Sequence, residues 1–223
     1  MKKNVIFKII CVALSVITVC FAFAACGDDS SIGIIGGADG PTKIIVGEIT
    51  DTVKVRFDME CGGKDIGSFT MELYPEYAPI TVENFVGLVQ EGFYDGVTFH
   101  RIAEGGYGPF VAQGGDPNGD GISDPGQEKI KGEFAANGVN NPLADNHVRG
   151  VVSMARTNDY NSASSQFFIC YNDYYGASLN GQYAAFGRVI EGMEVVDSFL
   201  EVERDYNDKP LTDIIITKAE IVE

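Results

Sequence analysis

From Val53 onward apolar residues fall on every second position, and that period limits what the chain can become. Val53, Val55, Phe57, Met59 and Cys61 alternate with Lys54, Arg56, Asp58 and Glu60, the pattern of a strand buried on one face. Gly62-Gly63-Lys64-Asp65 interrupts it, then Phe69, Met71 and Leu73 resume it, so the two runs predict a hairpin. Further strand-like runs fall at 97–102, 110–112, 150–155, 166–171 and 184–189, and the runs 214–218 and 219–222 can close the sheet. Helical spacing follows Pro79, with Val82, Phe85, Val86 and Val89 on one face. A second short helix is predicted at 193–200. The chain therefore reads as mainly β with two helices, and periodicity alone does not separate a closed barrel from a sandwich.

The first 25 residues read as a targeting segment. Lys2, Lys3 and Lys8 precede an apolar run without acids that ends in Phe23-Ala24-Ala25-Cys26. Small residues before a cysteine resemble a bacterial lipobox, in which Cys26 is lipidated and becomes the mature N-terminus. An uncleaved membrane anchor is the other reading, since the run is long enough to span a bilayer. Both predict an extracytoplasmic, membrane-attached protein. Residues 26–51 read as a flexible tether and 52–223 as one domain. Within the tether, the stretch 32–42 resembles a segment of the membrane subunit of sodium-pumping carboxylate decarboxylases. That family's membrane spans are absent, so a linker or docking segment is expected and no activity is implied.

The chain carries a net charge of −16, and the first 25 residues hold three Lys and no acid, so the remainder carries −19. Such a surface opposes binding to nucleic acid. Cys11 and Cys20 fall in the targeting segment, which leaves Cys61 and Cys170 in apolar strand-like runs. Buried free thiols are expected there, with a disulfide open in an oxidising compartment.

Three short runs carry the chemistry: Phe99-His100-Arg101, Phe110-Val111-Ala112-Gln113-Gly114-Gly115-Asp116 and Ser165-Gln166-Phe167-Phe168-Ile169. Each sets one polar side chain among aromatic and aliphatic neighbours. A guanidinium and two amides around an apolar dent suit an extended peptide and supply no activated nucleophile. In order and wording these runs, with 150–155 and 179–187, resemble the cyclophilin family of peptidyl-prolyl cis-trans isomerases, from about Val53 to the C-terminus.

The resemblance implies a closed eight-stranded antiparallel barrel capped by two helices. It also implies proline-containing polypeptides as partners and no cofactor; nothing in the sequence suggests more than a monomer. It makes Arg101 the donor that stabilises the twisted prolyl amide, held in line by Gln113. Gln166 lies near the substrate backbone, and Phe110, Val111, Phe168 and Leu179 form the proline pocket. Ala155 and Arg156 offer backbone groups to the residue before proline, and Tyr183 stands on the rim where many eukaryotic members have His. Ser178 replaces a Trp, as in bacterial members. His100 is expected to be structural.

Between Ile102 and Phe110 the chain is a few residues longer than usual, and Gly105, Gly106 and Gly108 suggest a mobile insertion beside Arg101. That insertion keeps open the alternative of a non-catalytic proline-binding module, and the 32–42 segment that of a membrane-tethered scaffold. Asp116, Asn118 and Asp120 match the front half of a calcium loop, but Gln127 stands where such loops need Glu, so only a weak calcium site is conceivable. With two His in the chain, no zinc or iron centre is expected. The stretch 114–149 is too long for a plain connector, which suggests a functional loop.

Overall fold

The computed structural model describes residues 51–122 and 126–223. The signal segment, the tether up to residue 50, Cys26 and the 32–42 stretch lie outside those residues. Eight strands form one sheet: β1 (Val53–Cys61), β2 (Lys64–Leu73), β3 (Arg101–Gly105), β4 (Gly108–Gly114), β5 (Val151–Met154), β6 (Phe167–Cys170), β7 (Ala185–Glu191) and β8 (Ile214–Val222). Their spatial order is β3-β4-β6-β5-β7-β2-β1-β8. Every neighbouring pair is antiparallel.

The predicted first hairpin forms with a two-residue turn. Cys61 pairs with Lys64, and Gly62 and Gly63 have φ of 59° and 76°. Two consecutive positive φ values match the right-handed twist of a hairpin and exclude most side chains.

The closed barrel is corrected to an open, curled sheet. β3 and β8 are its ends and share no ladder. Thr98 bridges the seam, to Ile215 on one side and Asp116 on the other. The predicted strand at 97–102 therefore divides: Phe99 N–H donates to Ile214 O along β8, and β3 begins only at Arg101. The free edge of β3 is covered by the loop after the last helix. Ile102 N–H donates to Asp208 O at 2.9 Å, and Arg204 Nη1 donates to Ile102 O at 3.0 Å. With Ile102 satisfied in this way, the start of β3's edge does not offer its backbone groups to β8. The two terminal strands foreseen at 214–218 and 219–222 are one strand, with a register shift opposite Asp58 and Met59.

Three helices stand where two were expected. α1 (Pro79–Gln90) starts at its proline, and α3 (Met193–Ser198) runs into a 3₁₀ turn over Phe199–Glu201. The addition is α2 (Gly176–Leu179), a single turn too short to leave a periodic signature. α1 has Ala78 at its N-cap and no local side-chain cap. The cap comes from Glu133, whose carboxylate accepts from Ile80 N–H (3.1 Å), Thr81 N–H (2.8 Å) and Thr81 Oγ1 (2.6 Å). A buried anion at a helix N-terminus meets otherwise orphaned donors and the positive end of the dipole. This is one structural use of the long 114–149 stretch.

Alternation gives the sheet two faces. Ile102, Ala112, Phe167 and Ile169 point into the main core, with Phe57, Phe69, Phe85, Tyr94, Phe99 and Phe186. Phe167 meets four rings there: Phe57, Phe85, Tyr94 and Phe99, at 5.4–6.0 Å between centroids. Ala103, Val111, Phe168 and Cys170 face the other way and form a second, smaller apolar cluster with Leu179. Cys61 and Cys170 are free thiols, and burial pushes Cys170 up to about 12. No helix of the described residues is long and apolar enough to cross a membrane.

His147 is buried beneath the second cluster. Its ring pairs with Asn180 Oδ1 (3.2 Å) and Ser153 Oγ (3.1 Å) and lies parallel to Phe168. Desolvation lowers its pKa, and hydrogen bonding to Asn180 only partly offsets this. His100 is lowered for the same first reason.

Two predictions follow from these contacts. Glu133→Ala strands the α1 donors and should cost roughly 2–3 kcal/mol in urea unfolding, whereas Glu133→Gln should cost less. No loss in the alanine variant would remove the capping role. Second, both imidazoles take up a proton less readily in the fold than in the unfolded chain, where His titrates near pH 6.5. Stability is then full above about pH 6.5 and erodes as pH falls below it, because the unfolded chain binds protons that the folded chain refuses. Unfolding free energies between pH 5 and 8 should show this decline, and His147→Gln should make it shallower, leaving the part due to His100.

Candidate active site

The outer face of the β3–β4–β6 strip carries the site. Arg101 and Ala103 on β3, Val111 and Gln113 on β4 and Phe168 on β6 share that face by the two-residue period. Phe110 would point inward by the same rule. Ala103 pairs with Val111 but Glu104 pairs with Pro109, so Phe110 is the extra residue of a β-bulge. The bulge turns its ring outward against the second apolar cluster.

These side chains enclose a cleft of about 130 Å³, lined by Arg101, Phe110, Val111, Gln113, Ala155, Arg156, Phe168, Leu179 and Tyr183. An apolar cavity of about 150 Å³ holds a benzene ring, so the space suits a five-membered ring. Phe168 forms the floor and meets Tyr183 edge to face at 5.5 Å. Leu179 enters from α2, so the one-turn helix that left no pattern in the sequence sets one wall. Gln166 does not line the cleft. It stands behind Gln113, whose Nε2 donates to Gln166 Oε1 at 3.0 Å.

Arg101 and Gln113 are partners across the β3–β4 ladder. The expected alignment of the guanidinium by Gln113 is nevertheless corrected. Arg101 Nη2 donates to Asp208 Oδ2 at 3.2 Å, and Gln113 spends its donor on Gln166. Asp208 holds its position with φ of 65°, a left-handed conformation that Asp and Asn tolerate better than most residues. Nothing local in the sequence marks Asp208, which lies 107 residues from its partner.

Ala155 has already donated its N–H to Gln166 O at 2.9 Å, so only its carbonyl can serve a substrate. The Arg156 side chain is committed too. Nε and Nη2 donate to Gln182 O, Nη1 donates to Thr157 O, and the guanidinium lies 4.6 Å from the Tyr183 ring centroid and 4.8 Å from that of Tyr160. It stiffens the wall that carries Tyr183.

The insertion after Ile102 is an ordered hairpin and not a mobile loop. Ala103–Gly105 extend β3, Gly108 and Pro109 open β4, and only Gly106 and Tyr107 form the turn. Asn172 Nδ2 donates to Pro109 O. Tyr107 N–H donates to the Tyr175 hydroxyl (2.9 Å), which donates onward to Gly108 O (3.3 Å). Gly105 is required here, since a Cβ would stand 2.2 Å from the Tyr175 oxygen.

His100 turns away from the cleft and is buried, with neither ring nitrogen hydrogen-bonded among the described residues. Asp116 shapes the loop after β4. Its carboxylate accepts from the N–H groups of Asn118, Asp120 and Gly121. Among the described residues no three His, Cys, Asp or Glu side chains converge to hold a metal.

Comparison with known proteins identifies the family. Residues 56–221 match the family described as cyclophilin type peptidyl-prolyl cis-trans isomerase/CLD. A peptidyl-prolyl cis-trans isomerase A of Dickeya dadantii is 39% identical over 165 residues, covering 70% of this chain and 80% of that protein. A peptidyl-prolyl cis-trans isomerase of Arabidopsis thaliana is 37% identical over 158 residues, covering 71% and 90%. The crystal structure of a cyclophilin type isomerase of Cryptosporidium parvum superposes with a TM-score of 0.65 at 30% identity, covering 78% of this chain and 99% of that one. The same protein crystallised in the presence of the dipeptide Ala-Pro gives 0.63 at 31% identity, covering 76% and 99%. An apolar cleft with a guanidinium at its edge, on a sheet shared with these relatives, places the chain in the cyclophilin-type peptidyl-prolyl cis-trans isomerases.

Proposed function

We propose that this isomerase acts outside the cytoplasm, held at a membrane by lipid on Cys26, and accelerates proline-limited folding of polypeptides that pass there. The basic start, the acid-free apolar run and the small residues before Cys26 support the anchor. The acidic remainder favours solubility at that surface.

The observation that carries the catalytic reading is the Arg101 guanidinium at the edge of the apolar cleft. The X–Pro bond resists rotation by about 18–20 kcal/mol because of amide resonance. When the amide twists by about 90°, resonance is lost and the prolyl nitrogen regains a lone pair. Phe110, Val111, Phe168 and Leu179 hold the ring while the rest of the amide turns. Arg101 donates a hydrogen bond to the nitrogen only in the twisted state, so it favours that state over either planar isomer. An acceleration of ~10⁴–10⁵ requires roughly 5.5–7 kcal/mol of such differential binding. The second amide donor of Gln113 and the unused donors of Gln166 can hold the flanking backbone. Asp208 acts through Arg101 as a positioning residue, limiting the directions in which the guanidinium points.

Exchange rates of a short Ala-Pro peptide test this. Arg101→Ala should lower kcat/KM by about 10²–10³-fold while peptide affinity largely persists. Asp208→Asn keeps the left-handed turn and removes the charge, so kcat should fall about two- to fivefold with KM unchanged. A folded wild-type protein without turnover would leave a proline-binding module. For the anchor, fatty-acid labelling in a bacterial host should mark the chain and miss Cys26→Ser, and equal labelling of both would refute lipidation there.

A further inference from the structure

The β3–β4 hairpin does more than lengthen the sheet. Its turn residue Tyr107 lies with its ring centroid 4.1 Å from that of Tyr174, and the two are 69% and 60% exposed. Tyr174 meets Tyr175 edge to face at 5.7 Å, and Tyr175 packs on Phe110 at 4.7 Å. Phe110 lines the cleft. A continuous run of rings therefore leads from the proline pocket onto an exposed surface. The run is held from beneath, because Tyr175 spends its hydroxyl on the hairpin backbone and Gly105 gives it room.

The direction of the run follows from the sheet. Along β4 and β6 the polar end of the site is Gln113 beside Gln166, and Phe110 stands at the other end. Tyr107 lies beyond Phe110. From Val111 to Tyr107 is four residues, at most roughly 13 Å at ~3.3 Å per extended residue, since Phe110 is bulged and Tyr107 lies in the turn. A polypeptide with its proline in the cleft, continuing extended over Phe110, brings over Tyr107 and Tyr174 a side chain about three to four positions from the proline. Rigid, amphipathic rings give large contact area at small entropic cost, which suits an aromatic side chain in a mobile chain.

We propose that Tyr107 and Tyr174 form a subsite that selects substrates with an aromatic residue three to four positions from the isomerised proline. This rests on the isomerase reading and names a substrate class for it. The occupant is the substrate itself, because the surface is continuous with the cleft.

The experiment compares eight-residue peptides with one Ala-Pro bond and either Phe or Gly three or four positions from the proline, on each side in turn. Exchange rates are measured with the full chain and with the Tyr107→Ala/Tyr174→Ala double variant. The wild type should favour the Phe peptide about two- to tenfold in kcat/KM, through KM and on one side of the proline only. In the double variant, whose altered side chains are exposed, the Phe/Gly ratio should fall to about one with melting unchanged. A wild type with no preference on either side, or a variant that keeps the preference, overturns the proposal. If no peptide is turned over, the isomerase reading fails by itself. The same Phe/Gly comparison is then read as a ratio of Kd values, with the same two outcomes deciding the subsite. Sedimentation at assay concentration completes the test: a dimer that the double variant abolishes would assign the rings to a second copy and overturn the proposal.

Discussion

Successive side chains of a strand face opposite ways, and at β6 that rule joins stability to function. Phe167 points inward and holds four aromatic neighbours together, while Phe168 points outward and floors the cleft. Because one backbone segment positions both, the site is as rigid as the core behind it. Catalysis of a bond rotation gains from that arrangement. The protein supplies a fixed surface, and the substrate supplies the motion.

Where the period is broken, the break serves the cleft. The bulge at Phe110 adds one residue to β4 and brings a large ring to the side where an unbulged strand would have turned it away. The same strand pair then extends into the hairpin that Tyr175 secures. Wall, bulge and hairpin tip form one construction, and Asp208 and Arg204 close its outer edge from the loop after α3.

Much of this was legible in the residues. The alternation of Val53 to Cys61 and the helical face after Pro79 are local patterns, and local patterns survive into the fold. The cleft residues were identifiable because their runs keep a family's wording, and Arg101, Gln113, Phe168 and Leu179 do converge. Apart from the one-turn α2 and the bulge at Phe110, the missed features depend on partners distant in sequence. Glu133 caps a helix from 52 residues away, and the tie between Arg101 and Asp208 spans 107. Closure of the barrel failed as an expectation because a loop took the edge of β3, and no periodicity reports how an edge is covered. The glycines at 105, 106 and 108 suggested mobility. Only the structure shows that Gly105 is there to admit a tyrosine hydroxyl.

The sheet also orders events in time. β1 lies between β2 and β8, with Val55 paired to Ile221. A chain delivered N-terminus first exposes one edge of β1 until β8 follows. The floor and walls of the cleft are available before then, but the strand that completes the core is not. Joining ends so far apart in sequence is a slow, entropically costly step. A catalyst of prolyl rotation is thus built so that its own core closes only when β8 pairs with β1.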